Sequence, residues 1–160
     1  SLSYGYAITT YVGQNLGAKK YRRIRNGVRS GVYMALITSI VISGVMVITG
    51  RNILSLFVSG EAGQVKQVLD IAYKYLFIMA IFLWVLYLLY VYRSAIQGLG
   101  NTLIPLASGV VEFCMRVGVA LLLPKLIGED GIFYAEISAW SGAAILLIVS
   151  YVVIIRKYKE

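Results

Sequence analysis

Residues 103–123 read LIPLASGVVEFCMRVGVALLL, and Glu112 and Arg116 are the only charged side chains in this stretch. A helix that crosses the hydrocarbon core of a bilayer needs ~20 predominantly apolar residues. The stretch therefore predicts a membrane-spanning helix, and it places the protein among helical proteins that fold in lipid.

Segments of the same character flank this one on both sides. A stub, the end of an earlier helix, is predicted in residues 1–13, and further helices over about residues 28–50, 65–97 and 132–155. Their apolar runs are continuous, whereas the strands of a membrane β-barrel alternate between polar and apolar residues. Hydrophobic residues make up 59% of the chain, above the roughly 45–50% of soluble domains. The predicted fold is an all-α, polytopic transmembrane helix bundle.

The distribution of charge predicts the orientation. The net charge is +8, and most of the 15 Lys and Arg residues fall in segment 14–29, near Arg93 and in the tail 156–159. These regions share one side of the membrane if four helices alternate in direction, and short loops rich in Lys and Arg stay in the cytoplasm. We expect the plasma (inner) membrane of a prokaryotic cell, with a cytoplasmic C-terminus. The lipid bilayer is the expected partner, and nucleic acid is not, because the basic segments are short and flanked by spans.

Neither an enzyme nor a metal site is predicted. The chain has no His and a single cysteine, Cys114, which excludes a Cys/His metal site within it. It has no nucleotide-binding loop and no nucleophile beside a base. No cofactor is therefore expected.

Glu112 and Arg116 are the sharpest candidates for a functional site. They are four residues apart, so they share one face of the helix, and they lie near its midpoint. A charged side chain at that depth costs ~2.5–3.5 kcal/mol on insertion scales, so the pair should face protein or a water-filled cavity. Three interpretations stay open: an ion pair that holds helices together, a role in the passage of substrate or protons, or a pair that snorkels at the lipid edge or belongs to a helix in another register.

Three further residues are cavity candidates. Glu136 lies about one turn inside the outer end of the last helix, either as an interfacial carboxylate or at the rim of an outward cavity. Trp84 and Tyr87 are deeper and three residues apart. They either pack in the bundle or line a cavity, where aromatic faces attract organic cations by ~0.5–2 kcal/mol each.

Three segments resemble motifs of one family of transporters. Val12–Lys20 reads VGQNLGAKK and resembles the V-G-Q-N-x-G-A-x-x loop of multidrug and toxic compound extrusion (MATE) transporters. Arg93–Thr102 reads RSAIQGLGNT and resembles their R-x-x-x-Q-G-x-G-[DN]-T helix exit, and Glu112–Arg116 fits the E-x-x-x-R of their penultimate helix. The matching residues are Gly13, Gln14, Asn15, Gly17 and Ala18 in the cytoplasmic loop motif, and Arg93, Gln97, Gly98, Gly100, Asn101 and Thr102 in the helix-exit motif. Segments 14–18 and 97–101 also resemble each other, which is typical of a transporter built from repeats.

The resemblance implies a fold of twelve helices in two lobes of six. This chain would be the end of helix eight through helix twelve, a partial C-terminal lobe without its N-terminal lobe. The implied function is an antiporter that exports drugs or organic cations in exchange for protons or sodium. Some members carry an acidic residue in helix ten that helps to bind sodium, but Leu83–Tyr90 has no carboxylate. A sodium site in this lobe is therefore in doubt, and coupling would rest on acids of the missing lobe, helped by Glu112.

Two alternatives to the antiporter stay open. One is a lipid-linked oligosaccharide flippase of the same superfamily, which would need intramembrane cations for the pyrophosphate. The other is a membrane scaffold that transports nothing.

Overall fold

The computed structural model describes residues 2–60 and 62–158, which confirm the all-α prediction, since these residues form helices and connecting turns without a strand. The helices are α1 (Leu2–Gly17), α2 (Tyr21–Ser55), α3 (Ala62–Ile81), α4 (Leu83–Gly98), α5 (Leu103–Ile127) and α6 (Phe133–Lys157), with a 3₁₀ turn at Glu129–Ile132.

The described helices have the dimensions of a multi-pass membrane protein. Among them, Tyr21–Ser55, Leu103–Ile127 and Asp130–Lys157 are each long and apolar enough to cross a bilayer, and α3 with α4 makes a fourth span if the bent pair counts as one. Large apolar side chains cover the outside: Ile40 and Ile48 of α2 are 68% and 80% exposed, and Leu121 of α5 is 64% exposed. Lipid is the solvent that accommodates such a surface.

The helices near the basic segment are longer than predicted. The stub predicted in residues 1–13 continues to Gly17, and the helix predicted over 28–50 begins at Tyr21 and ends at Ser55. The expected basic loop 14–29 is therefore a tight turn around Ala18–Lys20. Lys and Arg are good helix formers, so their appearance in the sequence marks the edge of the membrane and not the end of a helix. The predicted helices 103–123 and 132–155 extend to 103–127 and 133–157.

The prediction of one continuous helix over 65–97 is wrong. α3 and α4 meet at Phe82 and are bent by 48°. The Ser43 hydroxyl of α2 donates a hydrogen bond to the Ala80 carbonyl at 2.5 Å, and Val85 N donates to Phe82 O at 3.0 Å. A side chain that enters the helical hydrogen-bond ladder is a known cause of a sharp bend. No Pro or Gly lies near Phe82, so no local pattern in the sequence marks the break.

The C-terminus of α4 ends in a Schellman motif. Gly100 has φ +83°, its N–H donates to Gln97 O at 2.9 Å, and Asn101 N donates to Ile96 O at 3.2 Å. These two bonds satisfy carbonyls that the helix leaves unpaired at its end. The second glycine of the helix-exit motif therefore has a structural role, because an L side chain at positive φ is strained.

The end of α1 adopts the same cap at a shifted position. Lys19 has φ 55°, and Lys20 N donates to Asn15 O at 2.8 Å. Gly17, which the sequence alignment of the two segments pairs with Gly100, lies two residues before the left-handed position. The two segments therefore end their helices in the same way without being superimposable residue by residue.

Gly100→Ala is expected to destabilise the protein by about 1 kcal/mol, because alanine is strained in the left-handed region. Gly109→Ala is the matched control: Gly109 lies within α5, and a Cβ there meets no atom within 4 Å. That control should gain about 0.5–1 kcal/mol, because glycine is unfavourable within a helix. The free energies of unfolding in bicelles measure both changes, and a loss of stability in the control or a gain in Gly100→Ala would contradict the assigned cap.

Candidate intramembrane charge site

Glu112 lies at the centre of a chain of four charged side chains. Its Oε2 accepts a hydrogen bond from Arg93 Nη2 at 3.0 Å, and its Oε1 accepts one from Arg116 Nη2 at 3.0 Å. Arg116 also donates to Glu136, with Nη2 to Oε2 at 2.9 Å. We call these residues the charge chain. Its charges alternate in sign, and it links α4, α5 and α6.

One face of α5 provides the polar side of this site. Ser108, Glu112 and Arg116 are spaced four residues apart and therefore share that face. Ser108 is fully buried; its Oγ donates to Pro105 O at 2.7 Å and accepts from Arg93 Nη2 at 3.1 Å. The other faces of α5 carry exposed apolar side chains such as Leu106, Val110 and Leu121, so the polar stripe points into the bundle.

The charge chain extends along the bundle. Met115 is the middle residue of α5, and with a rise of ~1.5 Å per residue Glu112 and Arg116 lie within ~5 Å of the helix midpoint along its axis. Arg93 precedes the end of α4 by five residues, whereas Glu136 is the fourth residue of α6. The charges therefore run from the last turns of α4 to the first turn of α6.

The side chains of the charge chain are largely withdrawn from the protein surface. Some of their N–H donors form no hydrogen bond with the described residues. The side chains of Glu112, Arg93 and Glu136 are 19%, 22% and 27% exposed, and that of Arg116 is 42% exposed. Arg93 Nε is buried and has no hydrogen-bond partner among the described residues. Arg116 Nε is 2.9 Å from Glu136 Oε1 but lacks the alignment of a hydrogen bond. The attraction within the charge chain offsets part of the cost of withdrawing these charges from water.

A cleft opens beside one end of the charge chain. It has a volume of about 590 Å³, lies between α3, α5 and α6, and has Arg116 and Glu136 in its wall. The rings of Tyr75 and Phe133 also line it, with their centres 5.4 Å apart. Glu136, predicted as a cavity residue, therefore lies on a cavity together with Arg116, the most exposed member of the chain.

The comparison with protein families identifies the family. The MatE family matches residues 1–122, most of the chain and all three motif segments. The protein is a member of the MATE family of transporters. MATE proteins are transporters and not enzymes. No curated protein matches the chain at a significant level.

The two MATE motif segments pack against each other. A Cβ on Gly98 would lie 2.7 Å from Val12 Cβ and 2.8 Å from Thr9 O, so only glycine allows this approach of α4 to α1. Thr9 Oγ1 also donates to Ser94 O at 3.2 Å. A Cβ on Gly13 would be 3.7 Å from Gly98 O. The motifs thus form a helix–helix contact next to Arg93, the first residue of the charge chain.

The other motif residues act on the local backbone. Asn15 is buried and donates from Nδ2 to Tyr11 O at 2.8 Å. Asn101 Oδ1 accepts from Ile104 N at 3.1 Å and so satisfies a free N–H at the start of α5. Gln97 is exposed, and its carbonyl accepts the cap bond from Gly100. The remaining motif residues, Gln14, Gly17, Ala18 and Thr102, lie at or beside these helix ends.

The two predicted aromatic candidates lie apart from the cleft that Glu136 lines. Tyr87 is 6% exposed, and its ring centre is 6.0 Å from that of Tyr4, so it packs between α4 and α1. Trp84 is 44% exposed on the outside of the same helix. Neither ring lines the cleft beside the charge chain, and the role of Trp84 and Tyr87 in binding organic cations stays a prediction.

Sequence reasoning missed two members of the polar site. Arg93 was assigned only to the helix-exit motif, although it is the second cation on Glu112, and Ser108 was not considered. The regular spacing of Ser108, Glu112 and Arg116 was a signal for a polar stripe along α5. The partnership of Arg93 with that stripe depends on how α4 packs against α5, which local sequence does not specify.

Proposed function

We propose that this chain is the C-terminal part of a secondary active antiporter that exports drugs or organic cations in exchange for protons or sodium ions. Membership of the MATE family supports transport in general. The charge chain is the observation that supports ion coupling, because Glu112 lies near the midpoint of α5, a helix long enough to span a bilayer, and contacts arginines of both α4 and α5.

The charge chain offers a physical route from ion binding to helix movement. Glu112 holds Arg93 of α4 and Arg116 of α5 at the same time, and Arg116 holds Glu136 of α6. A proton or sodium ion that neutralises Glu112 weakens both of its ion pairs, so one binding event changes the attraction among three helices. An ion shifts a conformational equilibrium only if it binds the two states with different affinity, and an acid paired in one state and free in the other provides that difference.

The cleft next to Arg116 and Glu136 supports access of the coupling ion to the charge chain from one side of the membrane. The cleft lies between α3, α5 and α6, and Arg116, the most exposed member of the charge chain, is part of its wall. The basic residues at the opposite end of the bundle, including Lys19, Lys20, Arg156 and Lys157, support a cytoplasmic location of the C-terminus in a prokaryotic inner membrane. In that orientation the cleft faces the outside, from which the coupling ion enters.

The charge balance of the site favours the antiporter over the flippase. Two cations contact Glu112, Arg116 of the same helix and Arg93 of α4. Each arginine is paired with a glutamate, so the charge chain has no surplus positive charge that could bind a pyrophosphate. A scaffold without transport has no specific support from the site.

The experiment is a flux assay on the complete transporter in lipid vesicles. A fluorescent organic cation is followed under an imposed proton gradient, then under a sodium gradient, and again after an ionophore has collapsed each gradient. We expect transport of the dye that depends on one of the two gradients, and none from the 160-residue chain alone. Absence of flux under both gradients would overturn the proposal. Displacement of the dye by a lipid-linked oligosaccharide would favour the flippase as the function instead.

A further inference from the structure

A groove that the transport proposal does not use lies at the basic end of the bundle. It has a volume of about 260 Å³ and runs between the first turns of α2 and the last turns of α6. Arg25 and Arg29 form its rim and are exposed. Val28, Tyr151 and Ile155 form its floor and are no more than 8% exposed. We call this site the basic groove.

Among the described residues, the two arginines of the rim are held in place by contacts other than a carboxylate. Arg25 Nη2 donates to Tyr158 O at 2.6 Å. The Arg29 guanidinium lies 5.6 Å from the centre of the Tyr33 ring, and its Nη2 is 3.4 Å from the Tyr33 hydroxyl. Within residues 2–60 and 62–158, neither arginine forms an ion pair. Each guanidinium has five N–H donors, so donors remain for an anion from outside the chain.

The sequence of α1 and α2 provides no carboxylate for these two arginines, and Glu160, the acid nearest to Tyr158 in the sequence, lies outside the described residues. Residues 1–60 contain no Asp or Glu. Arg25 and Arg29 are one helical turn apart and lie on the same face of α2. Two adjacent guanidinium groups with free donors match the oxygens of one phosphate group.

The groove also has the depth and the apolar wall that a lipid needs. α2 has 35 residues, which at ~1.5 Å each exceed the ~30 Å hydrocarbon core, so its first turns stand at the level of the headgroups. Val32, one turn beyond Val28, lines the groove and begins the apolar run of α2. Beyond it, Ile37 and Ile40 are 63% and 68% exposed on the outer surface.

We infer that the basic groove binds an anionic phospholipid, with the phosphate on Arg25 and Arg29 and the start of an acyl chain along Val28, Val32 and Ile155. The buried floor explains why a lipid and not a free phosphate ion is the occupant: an apolar wall offers a small, hydrated anion no further contacts. A bound lipid would bridge α2 and α6 at the end of the bundle where Arg25 already holds the backbone of Tyr158.

Native mass spectrometry of the purified protein tests this inference. The protein is titrated with phosphatidylglycerol or with phosphatidylcholine, and the retained lipid adducts are counted. We expect one phosphatidylglycerol to be retained in preference to phosphatidylcholine. The double variant Arg25→Gln/Arg29→Gln should lower that affinity by about tenfold or more, because it removes charge-assisted hydrogen bonds. Arg25→Lys/Arg29→Lys keeps both charges. It should bind phosphatidylglycerol with an affinity between that of the wild type and that of Arg25→Gln/Arg29→Gln.

The matched control removes the same charge outside the groove. Lys19→Gln/Lys20→Gln lies in the turn between α1 and α2 and should change the affinity by less than about twofold. Equal losses in both double variants would show a diffuse attraction of the basic surface and overturn the site, as would unchanged binding in Arg25→Gln/Arg29→Gln. Displacement of the lipid by millimolar inorganic phosphate would show that the site takes a free anion and would overturn the lipid as its occupant. The helix content by circular dichroism verifies that each variant is folded.

Discussion

Glu112→Ala is expected to lower the free energy of unfolding by about 3 kcal/mol, near the lower end of the range for removing one partner of a buried ion pair. Among the described side chains, the substitution leaves the largely buried Arg93 with Ser108 as its hydrogen-bond partner, while Arg116 keeps Glu136. The residual 19% exposure of Glu112 keeps the loss from being larger.

Asp70→Ala is the matched control for this change. It also removes a carboxylate from an ion pair with arginine, since Asp70 Oδ1 lies 2.8 Å from Arg51 Nη2, but both side chains are more than half exposed. Exposed pairs contribute about 0–1 kcal/mol, so this loss should stay below about 1 kcal/mol. Equal losses in the two variants would show that the protein and the membrane do not withdraw Glu112 from water.

A double-mutant cycle separates the pair from its surroundings. Arg93→Ala alone and the double variant Arg93→Ala/Glu112→Ala complete the cycle, measured by unfolding in bicelles. We expect a coupling energy of about 1–3 kcal/mol, as for residues in one ion-pair network. A coupling energy near zero would mean that the 3.0 Å contact contributes nothing to stability.

Gly98→Ala should destabilise the protein by about 1–3 kcal/mol, as overpacking of a well-packed contact does. The new methyl group would lie 2.7 Å from Val12 Cβ and 2.8 Å from Thr9 O. Backbone cannot move aside as a flexible side chain does, so α1 and α4 must separate. The unfolding free energy measures the loss, and a distance between spin labels on α1 and α4 measures the separation.

Gly118→Ala is the control for Gly98→Ala. Gly118 also lies within a helix, and a Cβ there meets no atom within 4 Å, so alanine should stabilise α5 by about 0.5–1 kcal/mol. Opposite signs for the two substitutions are the expected result. If Gly98→Ala also stabilised the protein, the close contact between the two motif segments would not exist in solution.

The sequence was sufficient to predict the parts of the fold that depend on amino-acid composition and on the spacing of apolar and charged residues along the chain. Continuous apolar runs predicted the helical membrane bundle, and the four-residue spacing of Glu112 and Arg116 predicted that they share a face, which their 3.0 Å contact bears out. The ends of α2 were misplaced because Lys and Arg mark the membrane boundary while the helix continues through them.

The features that the sequence could not predict depend on contacts between distant residues. The bend at Phe82 coincides with a hydrogen bond from Ser43, 37 residues before its acceptor. Arg93 reaches Glu112 only because α4 packs against α5, and Glu136 meets Arg116 across the turn before α6. No local pattern contains this information, so the candidate site grew from a pair to a chain of four charges once the packing was known.

The most direct test of the central claim, that the charge chain takes part in ion-coupled transport, is the flux of an organic cation by the complete transporter with Glu112→Gln. Glutamine keeps the size of the side chain and removes its charge, and Asp70→Asn makes the same change at an exposed ion pair. We predict at least a tenfold loss of gradient-driven flux, about 1.4 kcal/mol or more in the barrier, for Glu112→Gln with normal folding, and wild-type flux for Asp70→Asn. Wild-type flux in folded Glu112→Gln would contradict the claim and leave the charge chain as a purely structural link among α4, α5 and α6.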